Sequence, residues 1–180
     1  MEAKRVINTK NLVVLALFIA LSFVGSYIKI FGTIAFDSLP AFLAALLLGP
    51  GYGALTGFLG HLFTALTSGF PLSIPMHLAI AAAMAITMQG FGSIYKALRN
   101  KISVTGNLVI TGITGLVLNG PVSLALSMCV MAILAGKDAA LGLLAMLPAL
   151  VLASAANVII SVLLFKVLEK VWGNFMQKGY

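Results

Sequence analysis

The chain has 180 residues, of which 61% are hydrophobic and 8% are charged, and its mean hydropathy is +1.13. Soluble domains carry about 25% charged residues, so this composition excludes an ordinary soluble domain and predicts a membrane protein that crosses the bilayer several times. The single cysteine, Cys129, excludes a disulfide framework and a cysteine-rich metal site.

The first half of the chain predicts three helices. A basic segment, 1–11, precedes an apolar span at Leu12–Ile30. The next apolar stretch, Leu39–Leu48, is short, because ten residues of helix rise only about 15 Å, half of the hydrocarbon thickness. We expect it to be extended at its start or to be a broken span packed against protein. A tight turn at Gly49–Gly51 leads into the third span, Tyr52–Ser68.

The second half predicts three more helices. A rigid loop precedes the fourth span, Ile74–Tyr95, and a polar turn separates it from a long fifth span at Val104–Ala132. Pro121 lies inside this fifth span, where it frees backbone carbonyls and can kink the helix. The sixth span covers Pro148–Val171. The sequence thus predicts one all-α domain, residues 1–180, with six transmembrane helices.

Charge placement agrees with an even number of spans. If both termini are cytoplasmic, nine basic residues lie inside and only Lys29 and Lys137 lie outside, which is the asymmetry expected of membrane proteins. The inside set is Lys4, Arg5, Lys10, Lys96, Arg99, Lys101, Lys166, Lys170 and Lys178. The net charge of +7 is therefore a topology signal in a multi-pass cell-membrane protein, and no nucleic-acid partner is expected.

Polar residues gather in the region from Phe36 to His77. His61 lies mid-span, where a histidine is costly and either faces a cavity or bonds to a neighbouring helix. The position of His77, near the outer end of the fourth span, favours a ligand contact at a cavity mouth over an interior role; an interfacial histidine that meets water is the alternative. Asp37 and Lys29 either pair with each other at the outer interface, or one of them reaches a ligand.

Two asparagines lie at comparable depth in the later spans. Asn119 precedes Gly120 and Pro121, and Asn157 follows a run of small residues. An amide offers two donors and an acceptor without a charge, so this pair suits a neutral polar solute. The alternative is hydrogen bonding between helices. Ser123 is a weaker candidate of the same kind.

Small residues form smooth faces on two helices. Ala16 and Ala20 lie on one face of the first span, and Gly53, Gly57 and Gly60 lie on one face of the third. Such faces allow close approach of another backbone. From spacing alone, packing within the bundle is the favoured interpretation for both faces.

The chain carries no P-loop, no GxSxG and no HExxH motif. We therefore expect no energy-coupling or hydrolytic centre, no cofactor and no metal site. Two alternatives stay open: a small membrane enzyme that uses His61, His77 and Asp37, which requires these groups to converge, and a self-sufficient small-solute transporter.

The chain resembles the substrate-binding S components of energy-coupling-factor (ECF) ABC transporters. The resemblance rests on the order of three motifs, namely Ala16-xxx-Ala20, Asp37-Ser38-Leu39-Pro40 and Leu48-Gly49-Pro50-Gly51 before a glycine-rich helix, together with the sixth-span asparagine. It implies that the chain is no enzyme but captures a vitamin-like substrate for a T component driven by two ATPases. It also implies that Ala16 and Ala20 form an external face on which the T component docks.

The resemblance further implies a site on helices four to six, closed by the outer loops after helices one, three and five. By position, Asn157, Asn119 and His77 are contacts, and Asp37 and the loop Gly69–Pro75 belong to the gate.

The amino-terminal histidine motif of the cobalt and nickel branch is lacking. The segment Phe36–Pro40 is most similar to the branch for α-ribazole, a cobalamin precursor, and aromatic and amide groups would suit this neutral aryl riboside. Pantothenate, hydroxymethylpyrimidine and queuosine-type compounds are the other candidates.

Overall fold

The computed structural model describes residues 9–31 and 34–177, so Lys4, Arg5 and Lys178 of the topology argument lie outside the described residues. Eight α-helical segments and two short strands follow one another in this order: α1 (Thr9–Gly25), β1 (Lys29–Phe31), β2 (Ile34–Ala35), α2 (Ser38–Leu47), α3 (Pro50–Thr67), α4 (Ile74–Leu98), α5 (Val104–Val117), α6 (Ser123–Ala135), α7 (Lys137–Gly142) and α8 (Leu147–Gln177).

The eight segments form six helical units. A π-helical turn, Leu118–Val122, joins α5 to α6, and a 3₁₀ turn, Leu143–Met146, joins α7 to α8. Six helices are thus found in the described part of the chain, as predicted. Three of them are long and apolar enough to cross a membrane: Ile74–Leu98, Val104–Ala135 and Lys137–Asn174. That all six cross the bilayer stays a prediction.

The short helix α2 forms the centre of the bundle. Ala41, Phe42 and Ala44 are completely buried, and α2 packs against α1, α3, α4 and α8. Because its ten residues are apolar on every side, all of its faces can be covered by protein, as expected for an element surrounded by other helices. Of the two interpretations that the sequence allowed, packing against protein is confirmed.

The first span was predicted to run to Ile30, but α1 ends at Gly25 and two paired strands follow it. Lys29 pairs with Ala35 and Phe31 with Ile34 in antiparallel register. β-branched and aromatic residues are frequent in this segment, and they favour extended backbone. The strands cover only five residues in total, so the fold remains helical.

One end of the bundle collects basic and aromatic side chains. Tyr95, Arg99, Lys170 and Trp172 surround a common groove there, and the Trp172 indole N–H donates to the Leu47 carbonyl over 3.0 Å. The paired strands and Asp37 lie at the opposite end, where α2 begins. Arg99 and Lys170 therefore lie at the end of the bundle away from Asp37; that this end is cytoplasmic stays a prediction.

The glycine face of α3 packs inside the bundle, as predicted. A Cβ atom added to Gly53 would lie 2.5 Å from Ala45 Cβ of α2. One added to Gly57 would lie 2.9 Å from Met88 of α4, and one added to Gly60 would lie 2.9 Å from Ser22 of α1. These glycines allow α3 to approach three neighbouring helices closely.

We expect Gly53→Leu to lower the free energy of unfolding by at least about 1–3 kcal/mol, because the new side chain would overlap Ala45 backbone atoms that cannot move aside. Thermal unfolding in detergent measures the change. Gly51→Leu is the matched control, since it lies on the same helix and a Cβ there meets no atom within 4 Å. Equal destabilisation by both variants would contradict this packing.

Candidate substrate-binding site

Three connections at one end of the bundle line a partly open cavity of about 80 Å³. The connection after α1 contributes Ala35, the loop after α3 contributes Leu72, and the turn between α7 and α8 contributes Met146. The remaining wall comes from these same connections and from α2, α3, α4, α6, α8 and the π turn. Its residues are Ile34, Asp37, Ser38, His61, Ile80, Met84, Asn119, Ser123, Leu124, Ser127, Leu143, Leu150, Ala153, Ser154 and Asn157.

Asn119 reaches the cavity from the π turn. Pro121 lacks an N–H and interrupts the α-helical hydrogen bonding, and the helix widens there into the turn Leu118–Val122. Such wide turns are frequent at functional sites. The Asn119 amide Nδ2 donates to Ser154 Oγ over 3.0 Å, while its Oδ1 is buried and has no hydrogen-bond partner among the described residues.

Asn157 of α8 links the cavity to the paired strands. Its Nδ2 donates to the Ala35 carbonyl over 3.2 Å. Its Oδ1 is also buried and finds no partner in the part of the chain that the structure describes. The two asparagines singled out in the sequence therefore line one cavity, and each presents an unpaired acceptor.

Asp37 lies in the connection between β2 and α2, and it is buried. Thr64 Oγ1 donates to its Oδ2 over 2.6 Å, and Ser38 Oγ donates to its Oδ1 over 3.2 Å. His61 Nδ1 lies 3.8 Å from the same Oδ2. The carboxylate thus joins α3 to the start of α2 beside the cavity.

The two histidines are in contact. His61 Nε2 and His77 Nδ1 lie 3.2 Å apart, and the Leu72 backbone N–H donates to His77 Nε2 over 3.4 Å. Because Nε2 of His77 accepts, a neutral His77 carries its proton on Nδ1 and donates it to His61. A neutral His61 then carries its own proton on Nδ1, the atom that faces Asp37. The chain of contacts runs from the loop after α3 to the carboxylate.

Two predicted site residues do not line the cavity. His77 was expected at its mouth, whereas the structure places it completely buried, between His61 and Leu72 and away from the cavity lining. Lys29 lies half-buried on β1, and among the described residues no ion pair joins it to Asp37. Ser123 does line the cavity, but its hydroxyl donates to the Leu118 carbonyl over 2.8 Å and so stabilises the π turn.

The wall chemistry is apolar with a few amides and hydroxyls. Among the described residues the lining contains no lysine or arginine, and it contains no Phe, Tyr or Trp. The aromatic groups that would suit an aryl riboside are therefore not found in the described lining. Met84 and Met146 contribute to it instead. Thioether side chains are flexible and fit irregular shapes.

Several site residues were not foreseen from the sequence. Ser154 lies three residues before Asn157 and so shares its helix face. Thr64 lies three residues after His61 and shares the face of that histidine. This spacing could have revealed both. Leu72 carried no such signal, because its role depends on how the loop after α3 folds back over the site.

We expect the Asp37 carboxyl to destabilise the protein as the pH rises. Burial raises its pKa from 3.8 to about 6, although hydrogen bonds from Thr64 and Ser38 lower it. Between these values the folded state binds more protons than the unfolded state. The carboxyl therefore does not lower the free energy of unfolding below pH 3.8. Its destabilising effect grows between pH 3.8 and about 6, and it stays constant at higher pH. At about 1.4 kcal/mol for each pKa unit, the cost is at most about 3 kcal/mol.

Thermal unfolding in detergent at acidic and neutral pH checks this expectation. Asp37→Asn should reduce the difference between the two conditions. Asp138→Asn is the control, since Asp138 is exposed on α7. An unchanged pH dependence in Asp37→Asn would contradict the assignment.

The fold and the cavity together define a helical membrane protein with a partly open, amide-lined cavity beneath three connections. A protein-family model, "ECF transporter, substrate-specific component", matches residues 10–169. The match covers most of the 180 residues. The chain therefore belongs to this family. No curated protein and no solved structure matches the chain.

Members of this family are the substrate-specific subunits of ECF importers, and they work with a T component and ATPases. The family is one of transporter components and not of enzymes.

Proposed function

We propose that this protein captures a vitamin-like solute from the outer side of the cell membrane and delivers it with a T component and two ABC ATPases. In this proposal all six helices cross the bilayer and both termini are cytoplasmic. One observation carries the proposal: the buried amides of Asn119 and Asn157 line one cavity beneath three connections, as expected of a site that closes over a small solute.

The substrate contacts in this proposal are Asn157, Asn119 and His61, with Asp37 beside them. These residues combine uncharged donors and acceptors with an apolar wall, which is typical of small-molecule sites. His77 and Leu72 act on the closing loop, and Ser123 shapes the π turn. Lys29 lies outside the cavity wall and is left without a role in binding.

The docking face in this proposal is the exposed side of α1. Ala16 and Ala20 are both exposed there, and exposed Leu17 and Leu21 flank them. The buried residues of α1 lie on its other side. Small residues among larger apolar ones allow another helix to approach closely in the membrane.

Among substrates, α-ribazole stays the proposed compound, on the similarity of Phe36–Pro40 to that branch and on the amide-rich wall. Hydroxymethylpyrimidine and queuosine-type compounds fit the same amides. Pantothenate fits less well, since its carboxylate would meet no cationic side chain in the described lining.

Mass spectrometry of the small molecule that copurifies tests the proposal. We expect a vitamin-like compound bound without ATP. Adding it back at 100 times its Kd should stabilise the protein by about 2.7 kcal/mol. No released compound, and no stabilisation by any candidate, would refute the proposal.

The enzyme alternative receives support from one observation, because Asp37, His61 and His77 do converge. Of these three, only Asp37 and His61 line the cavity. An enzyme would convert the copurified compound into a product during incubation, whereas a binding subunit would release it unchanged. Flux into liposomes without T component or ATPases would instead favour the self-sufficient transporter.

A further inference from the structure

We propose that the substrate carries no anionic group and presents at least two N–H or O–H donors to the α8 side of the cavity. This inference rests on the proposed function, and it narrows the substrate to a chemical class. It follows from the orientation of two buried amides and from the charges of the wall.

The orientation of Asn157 is fixed by its partner. Its amide lies 3.2 Å from the Ala35 carbonyl oxygen, and a carbonyl oxygen only accepts hydrogen bonds. The NH₂ group must therefore face Ala35, and Oδ1 must face elsewhere. This oxygen is buried without a partner in a residue that lines the cavity. A buried acceptor without a donor is costly, and a substrate N–H or O–H would remove that cost.

Asn119 supplies a second acceptor of the same kind. Its Nδ2 donates to Ser154 Oγ, and its Oδ1 also lacks a partner within the described residues. Ser154 and Asn157 lie three residues apart and share one face of α8. The two unpaired oxygens therefore lie within about one helical turn of each other along α8. A substrate with two donors on one edge would satisfy both.

The charges of the wall exclude an anionic group. The ionisable residues in the described lining are Asp37 and His61. The Asp37 carboxylate already accepts hydrogen bonds from Thr64 and Ser38. A carboxylate or phosphate would be buried beside it without a cationic partner, which is strongly unfavourable.

Much of the rest of the cavity wall is apolar. Met84 of α4, Leu124 of α6 and Leu150 of α8 contribute to this wall. An apolar body can rest there while the donor-bearing edge faces the two asparagines. This division explains how a neutral ligand is held in one orientation.

Hydrogen exchange of the bound molecule tests the number of donors without knowing its identity. The compound released from purified protein is weighed by mass spectrometry in H₂O and again in D₂O. We expect a mass increase of at least two, one for each exchangeable hydrogen, and no carboxylate or phosphate. An acidic compound, or one with fewer than two exchangeable hydrogens, would overturn the inference while the proposed function stands.

Matched pairs of probes test the exclusion of anions. Panthenol differs from pantothenate in having a hydroxymethyl group in place of the carboxylate, and α-ribazole differs from its 5′-phosphate in the same sense. In whichever pair binds, thermal shift should show that the neutral compound stabilises the protein at a concentration at least about tenfold lower than the anionic compound does. Equal or tighter binding of the anion would overturn the inference alone. No released compound and no stabilisation by any of the four probes would overturn the proposed function with it.

Discussion

Asn157→Ala will weaken retention of the substrate by about 30-fold. The variant removes the unpaired acceptor of a residue that lines the cavity and the donor that holds the Ala35 carbonyl. A substrate donor left unpaired in the cavity costs about 2 kcal/mol, which corresponds to this factor, since about 1.4 kcal/mol is tenfold in affinity. Equilibrium binding of the identified ligand to purified protein measures the change.

Asn107→Ala is the matched control for this variant. Asn107 is a buried asparagine of α5 whose Nδ2 donates to the Tyr95 carbonyl over 3.0 Å, and it does not line the cavity. Asn107→Ala should lower the free energy of unfolding by about as much as Asn157→Ala does, whereas its affinity for the ligand should change little. An equal loss of affinity in both variants, or unchanged binding in Asn157→Ala, would show that Asn157 is only a structural amide.

The double variant Ala16→Trp/Ala20→Trp will abolish uptake in cells and leave ligand retention unchanged within about twofold, because sites far apart act independently. Two indoles on the exposed face of α1 would hold a partner helix away from its backbone. The buried side of α1, with Leu15, Phe18 and Ser22, would not change. Uptake with the T component and ATPases present, and binding in detergent, are measured side by side.

The control for the docking face places the same bulk elsewhere on the lipid-facing surface. Ala82 and Ile86 have the same spacing on α4, and both are exposed. Ala82→Trp/Ile86→Trp should support normal uptake. If both double variants stopped uptake, or if Ala16→Trp/Ala20→Trp abolished binding in detergent, α1 would not be the docking face.

The sequence was sufficient where a feature depends on residues close together in the chain. Spacing of apolar residues predicted six helices, and the glycines of α3 predicted a face for close packing. Pro121 predicted a disturbance that the structure shows as a π turn, because the missing N–H acts at its own position whatever surrounds it. Buried amides in apolar helices pointed to Asn119 and Asn157, since each needs a partner.

The contacts at the cavity could not be predicted in this way. The position of His77 depends on the rotation of α4 against α3, and the role of Leu72 depends on the path of the loop between these helices. The described lining lacks Phe, Tyr and Trp because of the way several helices and connections are rotated toward the cavity. The pattern of a single helix does not specify that rotation. The hydrogen bond between β2 and Asn157 likewise joins residues that are far apart in the chain.

The sequence by itself therefore determined the class of protein, its helices and the two asparagines, because local spacing and burial cost fix them. Only the tertiary structure decided that Asn119 and Asn157 line one cavity while their amide oxygens lack partners among the described residues. The Ala35 carbonyl fixes the orientation of the Asn157 amide, and Asn119 bonds to Ser154; both partners belong to other parts of the fold. That orientation, and not the presence of the asparagines alone, indicates what kind of molecule the site can hold.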